Sequence, residues 1–200
     1  SALKFNKSQK NIVVGQYESY KKEQGVAKDS KTETFAAIRL FIDRESWYKV
    51  PIYIRTGKKL HEKHTYAVVE IKKFAFQSKE EKPNRLVIEL QPEEKISIRL
   101  ANKNITGENY RDLAVSAEIA YSDNERLNEH SLLLLDIIRN RREHFLSFPE
   151  IIATWEITDQ IVDFIKNNKL NPEIYKDGSK GPNSQNKLTE IDNFKWFDVH

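Results

Sequence analysis

Residues 52–63 read Ile-Tyr-Ile-Arg-Thr-Gly-Lys-Lys-Leu-His-Glu-Lys. The first half alternates as a strand does, with Ile52 and Ile54 on one face and Tyr53 and Arg55 on the other. Gly57 then breaks the alternation, and Lys58, Lys59 and Lys63 follow. A residue without Cβ lets the backbone turn tightly or approach a ligand closely. A strand that ends this way can hold ammonium groups over an anion. On charge pattern alone the same stretch also reads as a solvated basic loop, so the rest of the chain must decide.

Working outward, the flanking segments are strands. Thr34–Asp43 and Trp47–Arg55 precede or include the stretch, with Pro51 requiring an edge or a bulge because it cannot donate to a ladder. Tyr66–Phe76, Arg85–Gln91, Lys95–Ala101 and Asp112–Tyr121 follow, the middle two forming a hairpin around Gln91-Pro92-Glu93-Glu94. In that hairpin Leu86, Ile88, Leu90, Ile96, Ile98 and Leu100 are expected to face inward, with Ser97 and Arg99 outward. Short connections without helices favour antiparallel pairing, and the polar alternate face implies a sheet covered on one side. Two helices come next. Glu125–Asn140 carries Leu132–Leu135 and Ile137-Ile138 around Asp136 and is expected to be buried, with a partner for the carboxylate. Ser147-Phe148-Pro149-Glu150 is a capping box that opens a second helix, whose stripe of Ile151, Ile152, Trp155, Ile161, Phe164 and Ile165 ends near Asn167-Asn168. Asn171–Asn193 reads as a loop that Phe194–Phe197 pins back, and residues 1–31 read as a flexible opening, as if cut from a longer polypeptide. The fold class is α+β, a large mostly antiparallel sheet with helices packed on one face.

Composition narrows the chemistry. The 33 basic and 30 acidic residues give a net charge of +3 in 200 residues, too near balance for a broad nucleic-acid-binding face. No apolar run reaches membrane-spanning length, and the absence of cysteine removes disulfide and thiolate chemistry and accords with a cytoplasmic protein. No nucleic-acid or membrane partner is expected. The five histidines show no ligand spacing, so no metal site is expected. His61 and His64 flank the basic loop and could move protons near neutral pH, although role-free surface histidines are commoner. Neither a P-loop nor a G-x-G-x-x-G fingerprint is present. As a self-contained enzyme the chain is poorly equipped.

At Arg55-Thr56-Gly57-Lys58-Lys59-Leu60 the sequence resembles the C-terminal domain of glucose-6-phosphate dehydrogenases. Further matches follow in order: Gly15-Gln16-Tyr17, Thr34-Phe35-Ala36-Ala37, Trp47 with Val50-Pro51, and Leu86-Val87-Ile88 with Gln91-Pro92. Leu134-Leu135-Asp136, Trp155, Gly178-Ser179-Lys180-Gly181-Pro182 and Trp196 complete them. The resemblance implies a substrate-binding and dimerisation domain over 32–200, with the N-terminal Rossmann domain and its catalytic histidine absent from this chain. It implies an enzyme that oxidises D-glucose 6-phosphate to 6-phospho-D-glucono-1,5-lactone with NADP, the first step of the pentose phosphate pathway, and a homodimer formed through the sheet. No residue here is then a catalytic base. Lys58 matches the family's substrate lysine, Lys63 a basic residue five positions on, and Gln91 a glutamine before proline. Arg55, Arg99, Lys180 and Trp196 match ligands of a structural NADP that some members hold, whereas His64, Val68, Glu89 and Ser97 depart from that pattern. No cofactor is expected in this chain, the coenzyme belonging to the missing domain. The rival reading is a stand-alone, non-catalytic sugar-phosphate-binding or regulatory module.

Overall fold

Apolar residues at every second position of 35–42 build a strand with two buried faces, and that strand is the centre of the first half of the protein. The structure is a computed structural model that describes residues 2–73, 83–92, 94–103, 110–118 and 129–197. They divide into two units, residues 1–62 with 140–200 and residues 63–139. Each is taken by itself.

In the first unit, β1 (Leu3–Lys4), β2 (Ile12–Tyr17), β3 (Phe35–Ile42) and β4 (Pro51–Gly57) form a sheet. β2 and β4 flank β3 antiparallel, with Ile12 opposite Ile38 and Ile54 opposite the same Ile38 from the other side. β4 pairs only with β3 among the described residues, so Pro51 starts an edge strand, as its missing donor requires. Alternation along β2 and β3 splits the core in two. Ile12, Val14 and Leu40 face one side and pack with Phe5 against Ile157, Ile161 and Phe164. Those last three lie on α2 (Phe148–Asn167). Tyr17, Phe35 and Ala37 face the other side and pack with Tyr175 and Leu188. Each Val, Leu, Ile or Phe among them, fully buried, contributes roughly 1.5–3 kcal/mol.

Three expectations change here. The opening 1–31 contains β2, one of the best-buried strands of the chain, because Ile12, Val14 and Tyr17 alternate between two covered faces. The stretch 171–193 is not simply a loop: β9 (Glu173–Tyr175) pairs parallel with β2, and α3 (Gln185–Glu190) follows. α3 puts Leu188 on the face opposite to α2, so helices cover both faces of this sheet rather than one. The polar composition of 171–193 hid this, since only Tyr175, Pro182, Gln185, Leu188 and Thr189 need burial to hold it. Other expectations stand. Phe194 stacks on Tyr53 at 5.2 Å and Phe197 is buried, which pins the end of the chain back. α2 begins at the expected capping box, where Glu150 accepts from the Ser147 amide at 2.7 Å and its hydroxyl at 2.6 Å. Only the second half of its stripe is covered; Ile151, Ile152 and Trp155 are exposed.

The second unit is an antiparallel meander of β5 (Thr65–Glu70), β6 (Arg85–Gln91), β7 (Lys95–Lys103) and β8 (Tyr110–Glu118). The chain is thus α+β, its strands shared between two sheets. The far ends of the expected strands Tyr66–Phe76 and Asp112–Tyr121, and the start of the helix expected over Glu125–Asn140, fall outside the described residues. α1 (Glu129–Ile138) buries Asp136, which does have a partner, but Leu132, Leu134, Ile137 and Ile138 are exposed, so it is not a buried helix. The meander reverses the expected polarity. Val87 and Ser97 are buried, while Ile96, Ile98, Leu100, Leu113 and Val115 are exposed. Alternation defines two faces of a strand but does not say which one the protein covers itself.

Candidate functional site

Lys58 follows the last residue of β4, and its backbone is held at both ends. Its amide donates to the Thr34 carbonyl at 2.8 Å, and its carbonyl accepts from the Tyr175 hydroxyl at 2.7 Å. The Tyr175 oxygen also lies 3.1 Å from Thr34 Oγ1, which accepts from the Tyr17 amide at 3.0 Å. One directed chain results: Tyr17 N–H to Thr34 hydroxyl, Thr34 hydroxyl to Tyr175, Tyr175 hydroxyl to Lys58. Burial pushes the Tyr175 hydroxyl above the ordinary tyrosine range, so it remains a donor.

Two glycines let the surrounding segments close on Phe35. A Cβ at Gly57 would lie 2.7 Å from Phe35 Cδ2, and one at Gly181 2.6 Å from Phe35 Cε2. Gly181 also has φ +97°, which L side chains rarely adopt. The loop after Gly57 then runs beside 176–181: Gly178 N–H donates to the Lys59 carbonyl at 2.8 Å, and His61 N–H to the Ser179 carbonyl at 3.0 Å. Four sequence motifs scattered over 160-odd positions, at 15–17, 34–37, 55–60 and 178–182, therefore meet around one ring and one lysine.

Neighbouring lysines have different fates. Lys59 Nζ lies 2.8 Å from Glu23, 3.5 Å from Asp177 and 4.8 Å over the Tyr17 ring. The hydrogen bond that it donates to Glu23 is the main reason its ammonium is held above the ordinary lysine range. Lys58 is exposed, and its ammonium has no hydrogen bond or ion pair among the described residues. Lys59 is engaged in structure; among the described residues the Lys58 ammonium is not.

Lys63 and Gln91 belong to the second unit. They lie at one end of the meander: Thr65 is the register partner of Gln91, with Thr65 Oγ1 3.5 Å from Gln91 Oε1, and Lys63 is two residues before it. Lys63 is exposed and, like Lys58, unpartnered among the described residues. His61 contacts Glu62 at 3.0 Å, and His64 is not on the surface: its side chain is 4% exposed, with Nε2 3.2 Å from Glu89.

The positions compared with structural NADP ligands fall into two groups. Arg55, Lys180 and Trp196 line a hollow of about 700 Å³ in the first unit, where the Arg55 guanidinium stacks on the Trp196 indole at 4.7 Å. In the second unit Glu89 sets a buried carboxylate against His64, and Val68 and Ser97 bring no charge. Arg99, also in the second unit, is basic, whereas a carboxylate such as that of Glu89 repels a phosphate.

A family model described as "Glucose-6-phosphate dehydrogenase, C-terminal domain" matches residues 1–197. The chain belongs to that family. Among curated glucose-6-phosphate 1-dehydrogenases, the Bacillus subtilis (strain 168) protein is 32% identical over 189 residues, a span of 90% of this chain and 38% of the relative. The Dickeya dadantii (strain 3937) protein is 34% identical over 191 residues, 90% of this chain and 39% of the relative. A crystal structure of glucose-6-phosphate 1-dehydrogenase from Mycobacterium avium superposes with a TM-score of 0.80 at 28% identity, covering 98% of this chain and 42% of that one. This chain therefore spans about 38% of the length of the relatives it matches. For this glucose-6-phosphate dehydrogenase C-terminal domain, sequence reading singled out Lys58 but not Tyr175, the residue whose hydroxyl donates to the Lys58 carbonyl. Tyr175 sits in an Asn- and Lys-rich segment, and its only local signal is an isolated Ile174-Tyr175 pair after Pro172.

Proposed function

We propose that this domain supplies part of the glucose 6-phosphate pocket and the dimer interface of an NADP-dependent glucose-6-phosphate dehydrogenase. The intact protein oxidises D-glucose 6-phosphate to 6-phospho-D-glucono-1,5-lactone in the cytoplasm, and its N-terminal Rossmann domain binds the coenzyme and supplies the base. The observation that carries this reading is the exposed Lys58 ammonium, unpartnered among the described residues, on a backbone fixed by Thr34 and Tyr175, at the family's substrate-lysine position. A fixed ammonium offers three donors to sugar hydroxyls and phosphate oxygens, and positioning is a large part of rate enhancement. Lys63 adds a second cation and Gln91 an amide that both donates and accepts.

The homodimer reading rests on the meander. Ile96, Ile98 and Leu100 on β7, with Leu113 and Val115 on β8, form an exposed apolar face. Apolar patches spread over several strands mark association surfaces, and a second copy of the same face is self-complementary. No described helix is long and apolar enough to cross a membrane.

The deciding experiment assays the intact polypeptide for glucose 6-phosphate-dependent reduction of NADP, then repeats it with Lys58→Ala. The expected result is activity in the parent and a KM for glucose 6-phosphate raised at least about tenfold in the variant, the order expected for a lost charged hydrogen bond. An inactive intact protein would support the stand-alone module instead.

A further inference from the structure

The end of the meander that carries Lys63 and Gln91 is irregular. Thr65 pairs with Gln91 but Tyr66 pairs with Glu89, which leaves Leu90 as an extra, exposed residue in β6. Such bulges re-aim the side chains beside them and are frequent next to functional sites. At this bulge sits a largely covered polar pair, His64 Nε2 with Glu89 Oε2 at 3.2 Å, the side chains 4% and 11% exposed. The imidazole also leans on the Tyr66 ring, with centroids 4.9 Å apart. His64 directly follows Lys63, and Glu89 comes two residues before Gln91. The pair thus ties the two strand ends together at the point where both substrate residues leave the sheet.

We propose that His64 and Glu89 are positioning residues, whose buried contact sets the spacing of Lys63 and Gln91 and so tunes affinity for glucose 6-phosphate. This rests on the assignment of Lys63 and Gln91 to that substrate. A largely covered, hydrogen-bonded pair has few alternative geometries, because breaking it takes from the Glu89 carboxylate its hydrogen bond to His64. An exposed lysine on a bulged strand end would otherwise sample many. Small displacements of a binding group are enough to lose most of its contribution.

The test measures steady-state kinetics on the intact polypeptide. His64→Leu is expected to raise KM for glucose 6-phosphate roughly tenfold, with kcat and the KM for coenzyme within about twofold. His64→Gln, whose amide nitrogen can donate to Glu89 from near the Nε2 position, is expected to restore most of the affinity. In a Lys63→Ala, Gln91→Ala background, His64→Leu is expected to add little, since there is nothing left to position. Should His64→Leu not fold, Glu89→Gln serves: it keeps an acceptor and is expected to stay near the parent KM, while His64→Asn, too short to reach, is expected to raise it. An unchanged KM in the loss variants, equal rises in the KM for both substrates, or full additivity with the double alanine variant would each overturn the proposal. If Lys63→Ala and Gln91→Ala themselves leave KM unchanged, the substrate assignment has failed, and the proposal with it.

Discussion

The Tyr175 hydroxyl donates to the carbonyl of Lys58 at 2.7 Å, across 117 positions of sequence. The contact makes Lys58, the proposed substrate lysine, depend on a strand, β9, that its own neighbourhood does not reveal. Tyr175→Phe keeps the ring in its edge-on contacts with Phe35 and Tyr17 and removes only the hydroxyl, with its contacts to Lys58 and Thr34. The expected outcome is a loss of about 1–2 kcal/mol in denaturant unfolding, in the range for a buried hydrogen bond whose acceptor is left unpaired. KM for glucose 6-phosphate should rise a fewfold, because the Lys58 carbonyl is then held by its peptide neighbours alone. Unaltered stability and KM would show that the backbone there needs no tether.

Lys58 and Lys59 offer a matched contrast. Lys59→Ala strips Glu23 and Asp177 of their cation and is expected to leave stability nearly unchanged, since these exposed charges are screened by solvent. Substrate KM should barely move. Lys58→Ala is expected to do the opposite, leaving unfolding midpoints unchanged while weakening substrate binding. Chemical denaturation paired with kinetics separates the two, and a KM effect of equal size from Lys59→Ala would make the basic loop a diffuse electrostatic feature.

Phe35 should be the limiting partner for two glycines. Gly57→Ala places a methyl group 2.7 Å from the ring, and Gly181→Ala places one 2.6 Å away at a φ of +97°. Overpacking of this kind costs roughly 1–3 kcal/mol, and the left-handed backbone adds to it at Gly181. Thermal melts of both variants should show the larger loss at Gly181. Introducing Phe35→Leu into each alanine variant should recover part of the loss at Gly57 and less at Gly181, where strain persists.

How much of this was legible beforehand depended on where each signal lived. The strands around Gly57 were readable because alternation is a local property, and the capping box at Ser147 because its four residues are contiguous. What failed was non-local. β2 looked like a loose opening because only Ile12-Val13-Val14 are obviously apolar, yet Gly15 and Gln16 are buried too. Gln16 uses its amide to hold the Ser30 and Thr32 carbonyls at 3.1 and 2.9 Å. Ser97 is buried although its place in the alternation reads as outward, because a strand's pattern is symmetric until a partner is chosen. Lys58, Lys63 and Gln91 were recognisable only through family resemblance; nothing in their spacing distinguishes them from a solvated loop.

Acid should loosen the C-terminal segment first. Asp192 accepts two hydrogen bonds of 2.6 Å from Arg39 and one from Tyr53. Burial alone would raise its carboxyl, but the bonds from Arg39 and Tyr53 outweigh that and hold it below the ordinary aspartate value. A depressed folded pKa contributes stability that is complete above the unfolded value, about 3.9, and disappears as pH falls through the folded one. Unfolding free energy should therefore drop below about pH 4. Asp192→Asn should be less stable at neutral pH and should show a shallower acid-side slope; parallel slopes would mean the carboxylate is not linked to folding.

The dimer prediction can be made to fail without disturbing the protomer. Ile98 and Val115 are register partners in the middle of β7 and β8, 45% and 61% exposed. A glutamate at either position meets water in the isolated protomer, so the melting curve of the monomer should change little. In a self-complementary face, however, each substitution buries two like charges per dimer, and unpaired charges at an interface cost several kcal/mol. Light scattering should report about twice the protomer mass for the parent, and a shift to the protomer mass for Ile98→Glu and Val115→Glu. Ser97→Val, on the buried side of the same strand, should leave the mass at that of the parent. If both glutamate variants keep the parent mass, association does not use this face of the meander, and the apolar row on β7 and β8 must be covered by something other than a second copy.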